Sequence, residues 1–248
     1  MLGRDDPPPF VVTNPSGSSV ILLLGDHAGR VVPAKLGDLG VSPADMDQHI
    51  AWDIGIAGLG ERLSAALDAT FIHQTYSRLV IDCNRRPGAA DAAPAISDGV
   101  AIPANLNLTP EDLSARIAEI AAPYNDEIAA VLDARAARKT LLVSLHSFTP
   151  TMAGFARPWR YGVLHRGDSA LSDAVLALLQ EALGPEAGDN APYAMDDKDN
   201  TIPLHADPRG LDYLELEVRQ DLIADAAGQD VAARFVADIL TRALAKIA

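Results

Sequence analysis

The chain carries a single cysteine, Cys83, so it has no intrachain disulfide and no cysteine-rich zinc site. Aromatic residues make up only 5%, which leaves the core to aliphatic side chains, as in a helix-rich α/β protein. No apolar run reaches the roughly 18 residues of a membrane span. Positive charge is also scarce. The 20 Lys and Arg face 34 Asp and Glu, a formal net charge of −14, which disfavours a sequence-independent grip on nucleic acid or anionic lipid. There are no internal repeats. The N-terminus is acidic and proline-rich (Pro7, Pro8, Pro9), unlike a signal peptide, so a cytoplasmic protein is expected.

What the chain does have is enough apolar residue, 48% of 248, for one large domain over 1–248, with 1–18 expected as an irregular arm. Two continuous apolar runs each give way to a histidine: Val20-Ile-Leu-Leu-Leu leads to Asp26-His27, and Leu141-Leu-Val-Ser-Leu leads to His146. Such runs read as strands covered on both faces. Further strands are expected at 71–75, 79–82, 161–164 and 213–218. Helices are expected at 42–67, 109–137, 169–183 and 231–247, the first two opened by Ser42-Pro43 and Thr109-Pro110 caps. The alternation predicts a three-layer α/β/α fold with a mostly parallel or mixed central sheet. Segments 86–108 and 184–210 lack periodicity. Loops that long inside a compact domain are usually functional or mobile.

In open α/β sheets, ligands bind outside the carboxyl ends of the strands. Two histidines delivered there point to a shared site with a metal ion in it. His49 and Asp53, four apart on the expected helix, share one face. In Tyr213-Leu-Glu-Leu-Glu-Val, period-two alternation puts Glu215 and Glu217 together on one side of a strand, where two carboxylates need a cation or a polar cavity. Two histidines, one carboxylate and water suit a catalytic Zn²⁺, which lowers the pKa of bound water to about 7. Either Glu215 or Glu217 then suits proton transfer. A second cluster, Arg78, Arg85 and Arg86 around a short apolar run, suits carboxylate recognition or pairing with Asp82 or Asp26. His73, His165 and His205 read as structural.

Five segments in order, Asp26-His-Ala-Gly29, His49-Ile-Ala-Trp-Asp53-Ile-Gly55, Ser77-Arg-Leu-Val-Ile-Asp-Cys-Asn-Arg85, Ser144-Leu-His-Ser147 and Leu214-Glu-Leu-Glu-Val-Arg-Gln-Asp221, resemble the N-formylglutamate amidohydrolase family. The resemblance implies a zinc-carboxypeptidase-like fold and hydrolysis of a small N-acyl amino acid such as N-formyl-L-glutamate. It implies His27, Asp53 and His146 as metal ligands, Glu217 as general base, and Arg78, Asn84 and Arg85 as the segment that holds substrate carboxylate. Asp26, His49, Glu215 and Arg209 are expected around these. Zinc peptidases of this fold place a glutamate ligand three residues beyond the first histidine, where this chain has Arg30. Either Asp53 takes that place or the metal site is incomplete. Two further readings stay open: a metallo-deacylase or carboxypeptidase for another N-acyl amino acid or peptide, and a catalytically silent binding module. Loop 86–108, which would narrow or open the pocket, separates the first of these from the amidohydrolase.

Overall fold

A computed structural model describes residues 1–195 and 197–247. Its centre is a seven-stranded sheet: β1 (Phe10–Thr13), β2 (Ile21–Gly25), β3 (Thr70–Gln74), β4 (Leu141–Phe148), β5 (Tyr161–Leu164), β6 (Ala187–Asp189) and β7 (Tyr213–Arg219). Their spatial order is β1-β3-β2-β4-β7-β5-β6. Neighbours in the run β3-β2-β4-β7 are parallel, as are β5 and β6, while β1/β3 and β7/β5 are antiparallel. The expected mixed sheet is present. The segment expected as an irregular arm contributes an edge strand instead, because Phe10-Val-Val-Thr completes its backbone hydrogen bonds against β3.

One sheet face is dry throughout. Leu141, Val143 and Leu145 of β4 and Leu214, Leu216 and Val218 of β7 pack against helices α1 (Ile56–Leu67), α3 (Ala170–Leu183) and α4 (Ala226–Lys246). Helix α2 covers part of the other face. It comprises Pro110–Arg116, a π segment at Ile117–Ala121 and Ala122–Ala134. The π segment abuts Pro123, which has no N–H for the regular ladder. On this second face Leu22, Leu24, Leu142 and Tyr213 are apolar and pack with Tyr124, Ile128 and Leu132 of α2. Towards the carboxyl ends of the strands the same face turns polar, with Ser144, His146, Glu215 and Glu217.

Two expected elements take another form. The 42–67 helix forms one capped turn, Pro43–Met46, then unwinds until Gly55, whose φ of 86° takes the left-handed conformation that glycine favours. A Cβ there would lie 2.2 Å from the Ile223 carbonyl oxygen. Residues 79–82 are not a strand but follow a turn anchored by Ser77, whose carbonyl accepts from Val80 N and whose hydroxyl accepts from Leu79 N. Leu79, Val80 and Ile81 are all buried under the second face without strand pairing.

Gly60 of α1 lets the helix sit on buried Phe71 of β3, because an added Cβ would lie 2.2 Å from Phe71 Cζ. Gly60→Ala adds about 1 kcal/mol of helix propensity but overpacks this contact, at a cost of about 1–3 kcal/mol. The variant is expected to unfold at lower urea concentration with an unchanged slope. A midpoint at or above the parent's would show that Phe71 moves aside freely.

Candidate metal-dependent active site

His27 follows β2 by two residues, and His146 lies inside β4, two residues before its end. Their rings meet edge to face with centroids 5.0 Å apart. Asp53 reaches them from the unwound stretch before Gly55, held by its own N–H on the His27 carbonyl at 2.8 Å. Its Oδ2 accepts from Ser147 N at 3.1 Å, lies 3.0 Å from His146 Nδ1 and stands 3.6 Å from His27 Nδ1. The expectation that His49 and Asp53 share a helix face fails, because the chain is not helical there. His49 is nevertheless close, its Nδ1 3.7 Å from Asp53 Oδ1. Burial lowers the His49 pKa to about 4 against the pull of Asp53, so that imidazole is neutral at physiological pH.

The far nitrogen of each imidazole has its own partner. His27 Nε2 meets Asp82 Oδ1 at 2.7 Å, while His146 Nε2 meets the Ser144 hydroxyl at 3.1 Å and Asp26 Oδ2 at 3.6 Å. Asp26 accepts from Tyr124 Oη on α2 and from Thr201 Oγ1. A carboxylate behind an imidazole fixes its tautomer and raises its basicity towards a metal on the other side. Asp82 in this role was not foreseen. The only hint of it in the sequence is its place four residues after Arg78.

The charges around these groups are coupled. Burial alone would raise the pKa values of Asp26, Asp53 and Asp82, yet the neighbouring histidines, with Arg78 at Asp82, hold all three below the usual carboxylate range. Three buried anions therefore surround two imidazoles and one guanidinium. Among the described residues, ligand atoms of His27, Asp53 and His146 lie within 4.8 Å of one another, and His27 Nδ1 is buried without a hydrogen-bond partner. An orphaned imidazole nitrogen facing a carboxylate in a net negative pocket fits a divalent cation, and this donor set suits zinc. Arg30 takes no part: it bonds Asp47 at 2.6 Å and lies over Trp52 on the surface.

Glu217 stands opposite His146 in the β4/β7 register and Glu215 opposite Ser144. Burial pushes Glu217 up to about 7 and Glu215 up to about 8, although the charge on His146 pulls both down. Glu217 Oε2 is buried with no hydrogen-bond partner among the described residues. Both acids, the histidines and Asp53 line a cavity of about 670 Å³, within the range of small-molecule sites.

The expected substrate segment divides. Arg78 donates from Nη1 to Asp53 at 3.3 Å and from Nη2 to Asp82 at 3.0 Å, so it braces the acids. Asn84 Oδ1 accepts from the backbone N–H groups of Asn200 and Thr201, pinning that loop. Arg85 lines the cavity between Asp91 at 3.4 Å and Asp199 at 3.5 Å. Arg209 is a correction: it lies outside this site and pairs with Asp133 of α2 at 2.7 Å. Segment 86–108 contains a small hairpin, Ile96–Ser97 with Val100–Ala101, that adds Ser97, Asp98 and Val100 to the cavity wall.

A family model described as N-formylglutamate amidohydrolase matches residues 19–224. The crystal structure of gene product Atu2144 from Agrobacterium tumefaciens is 35% identical, with a TM-score of 0.95 over 99% of this chain and 98% of that one. The N-formylglutamate amidohydrolase from Ralstonia eutropha JMP134 shares the fold, with a TM-score of 0.68 at 20% identity over 95% of this chain and 97% of that one. No curated protein matches the chain.

Asp82→Asn keeps the shape behind His27 but removes the charge. Zinc affinity, measured by competition with a chelator, is expected to fall about 10- to 100-fold. Unchanged affinity would mean that Asp82 does not orient a ligand.

Proposed function

Because the chain belongs to the N-formylglutamate amidohydrolase family, we propose that it hydrolyses the amide bond of a small N-formyl or other N-acyl amino acid, with zinc held by His27, Asp53 and His146. The observation that carries this reading is Glu217, buried beside the His146–Asp53 cluster and lining the same cavity, whose Oε2 has no hydrogen-bond partner among the described residues. When bound, a zinc ion supplies a Lewis acid that acidifies water and polarises a carbonyl.

The protein's own groups do the rest. Glu217 takes a proton as the oxygen of water bonds to the acyl carbon. It then delivers that proton to the amide nitrogen as the C–N bond breaks, releasing formate, or another carboxylate, and a free amine. Burial raises the Glu217 pKa in the metal-free site, towards the range in which a carboxyl both accepts and releases a proton at neutral pH. Arg78 does not move protons; it keeps Asp53 and Asp82 ionised and in place. Arg85, on the cavity wall, is the guanidinium we assign to the substrate's carboxylate, since its planar fork suits that group.

One observation favours a second substrate within the same chemistry. Asp45, Asp91 and Asp98 line the same cavity as Arg85, and a dicarboxylate such as N-formyl-glutamate meets more negative than positive charge there. An N-acyl amino acid with a neutral or cationic side chain carries only its α-carboxylate as an anion and meets less of that repulsion. Hydrolysis of N-formyl-glutamate, N-formyl-alanine and N-formyl-lysine by one zinc-loaded preparation decides between them.

Glu217→Gln is expected to lower turnover of the best of these substrates by about 10²–10⁴-fold at unchanged zinc content. Glu215→Gln should cost far less. The reverse order would exchange their roles, and no cleavage of any N-formyl or N-acetyl amino acid by the parent would contradict the proposed reaction.

A further inference from the structure

Hydrolysis of an amide puts negative charge on the carbonyl oxygen, and a site that speeds it aims hydrogen-bond donors at that oxygen. The cavity is lined by several side chains that can donate, among them Gln48, His49, Arg85, Ser147 and Tyr193. Glu215, Glu217, Asp53 and Asp82 only accept when ionised. The two Nη atoms of Arg78 are committed to Asp53 and Asp82.

Tyr193 lines the same cavity as Glu217, His146 and Asp53. Behind it lies Arg157, only 6% exposed, in the segment that enters β5. Arg157 Nη1 donates to Tyr193 Oη at 3.1 Å and to the Thr149 carbonyl and hydroxyl at 3.3 and 3.2 Å, and Nη2 reaches Met152 Sδ. Among the described residues none of these partners is a carboxylate. The guanidinium also lies 4.7 Å from the Tyr193 ring centroid and 5.7 Å from that of Phe148, so it is held in place. A guanidinium has no lone pair to offer. The tyrosine oxygen is therefore the acceptor in that bond, and its own hydrogen is not directed at Arg157.

We infer that Tyr193 donates its hydroxyl hydrogen to the carbonyl oxygen of the scissile amide as charge develops there, and that Arg157 is the positioning residue that turns it to do so. The cation behind the oxygen also polarises the O–H bond and makes it a stronger donor. Burial, followed by the charge of Glu217, raises the Tyr193 pKa, which keeps the proton on the donor at neutral pH. The role rests on the proposed amide hydrolysis and adds to it a residue outside the metal cluster and the Glu217 base. The buried Ser147 hydroxyl, which has no partner among the described residues and lines the same cavity, is a competing donor.

The test uses a ligand as well as a rate. The N-methylphosphonyl derivative of whichever amino acid the parent releases fastest from its N-formyl compound carries a tetrahedral anion that mimics the addition of water to an N-acyl carbonyl. It is titrated by calorimetry into zinc-loaded parent, Tyr193→Phe, Arg157→Lys, Arg157→Met and Ser147→Ala, each checked for zinc content and melting temperature. Tyr193→Phe is expected to weaken the probe about 10- to 100-fold and to lower kcat by a similar factor with KM little changed. Arg157→Met should match it, Arg157→Lys should recover part of the loss, and the Tyr193→Phe/Arg157→Met double variant should lose no more than either alone. Parent-like affinity in Tyr193→Phe overturns the inference, as does a parent that does not bind the probe. A loss confined to Ser147→Ala overturns it too and moves the role to Ser147. Failure of the proposed reaction is seen separately, in the parent's turnover of N-formyl amino acids.

Discussion

The site depends on the Asp53 carboxylate being buried and still ionised. In apolar surroundings an acid takes up a proton unless hydrogen bonds and opposite charge compensate for lost water. Here the Ser147 N–H, Arg78 and two imidazoles surround one carboxylate on a stretch of chain that is neither helix nor strand. Three separate parts of the chain place these four groups. β4 supplies His146 and Ser147, the chain after β2 supplies His27, and the turn following β3 supplies Arg78. Breaking the helix before Gly55 is what lets the acid reach all of them.

The sheet sets up this convergence through its pleat. Successive side chains on β4 and β7 point to opposite faces. The residues that build the dry core are therefore separate from the polar residues of the candidate site: Val143, Leu145, Leu214 and Leu216 seal one face, while Ser144, His146, Glu215 and Glu217 stand on the other.

Much of this was legible in the sequence. Apolar runs ending near histidines marked β2 and β4, and Leu-Glu-Leu-Glu marked the two-faced β7. What was hidden had local causes. Leu79-Val-Ile81 has strand-like composition, but its backbone is committed to a turn started by Ser77, and only that turn aims Asp82 at His27. Residues 42–67 begin with a sound cap, yet Gly55, where the helix resumes, reads as a mere weakness until its φ is known. Phe10-Val-Val-Thr had the composition of an edge strand but needed β3 beside it. Arg209 is sequence-adjacent to nothing in the site, and its partner, Asp133, lies on α2. Tyr193 and Arg157 are 36 residues apart, and no periodicity joins them.

The central claim is that His27, Asp53 and His146 hold one zinc ion. Anomalous diffraction at the zinc edge from crystals of zinc-loaded protein tests it most directly. The account predicts a single strong peak about 2.0–2.2 Å from a nitrogen of each histidine and an oxygen of Asp53. A peak held by other side chains, or none at these three in protein that contains zinc, would contradict it.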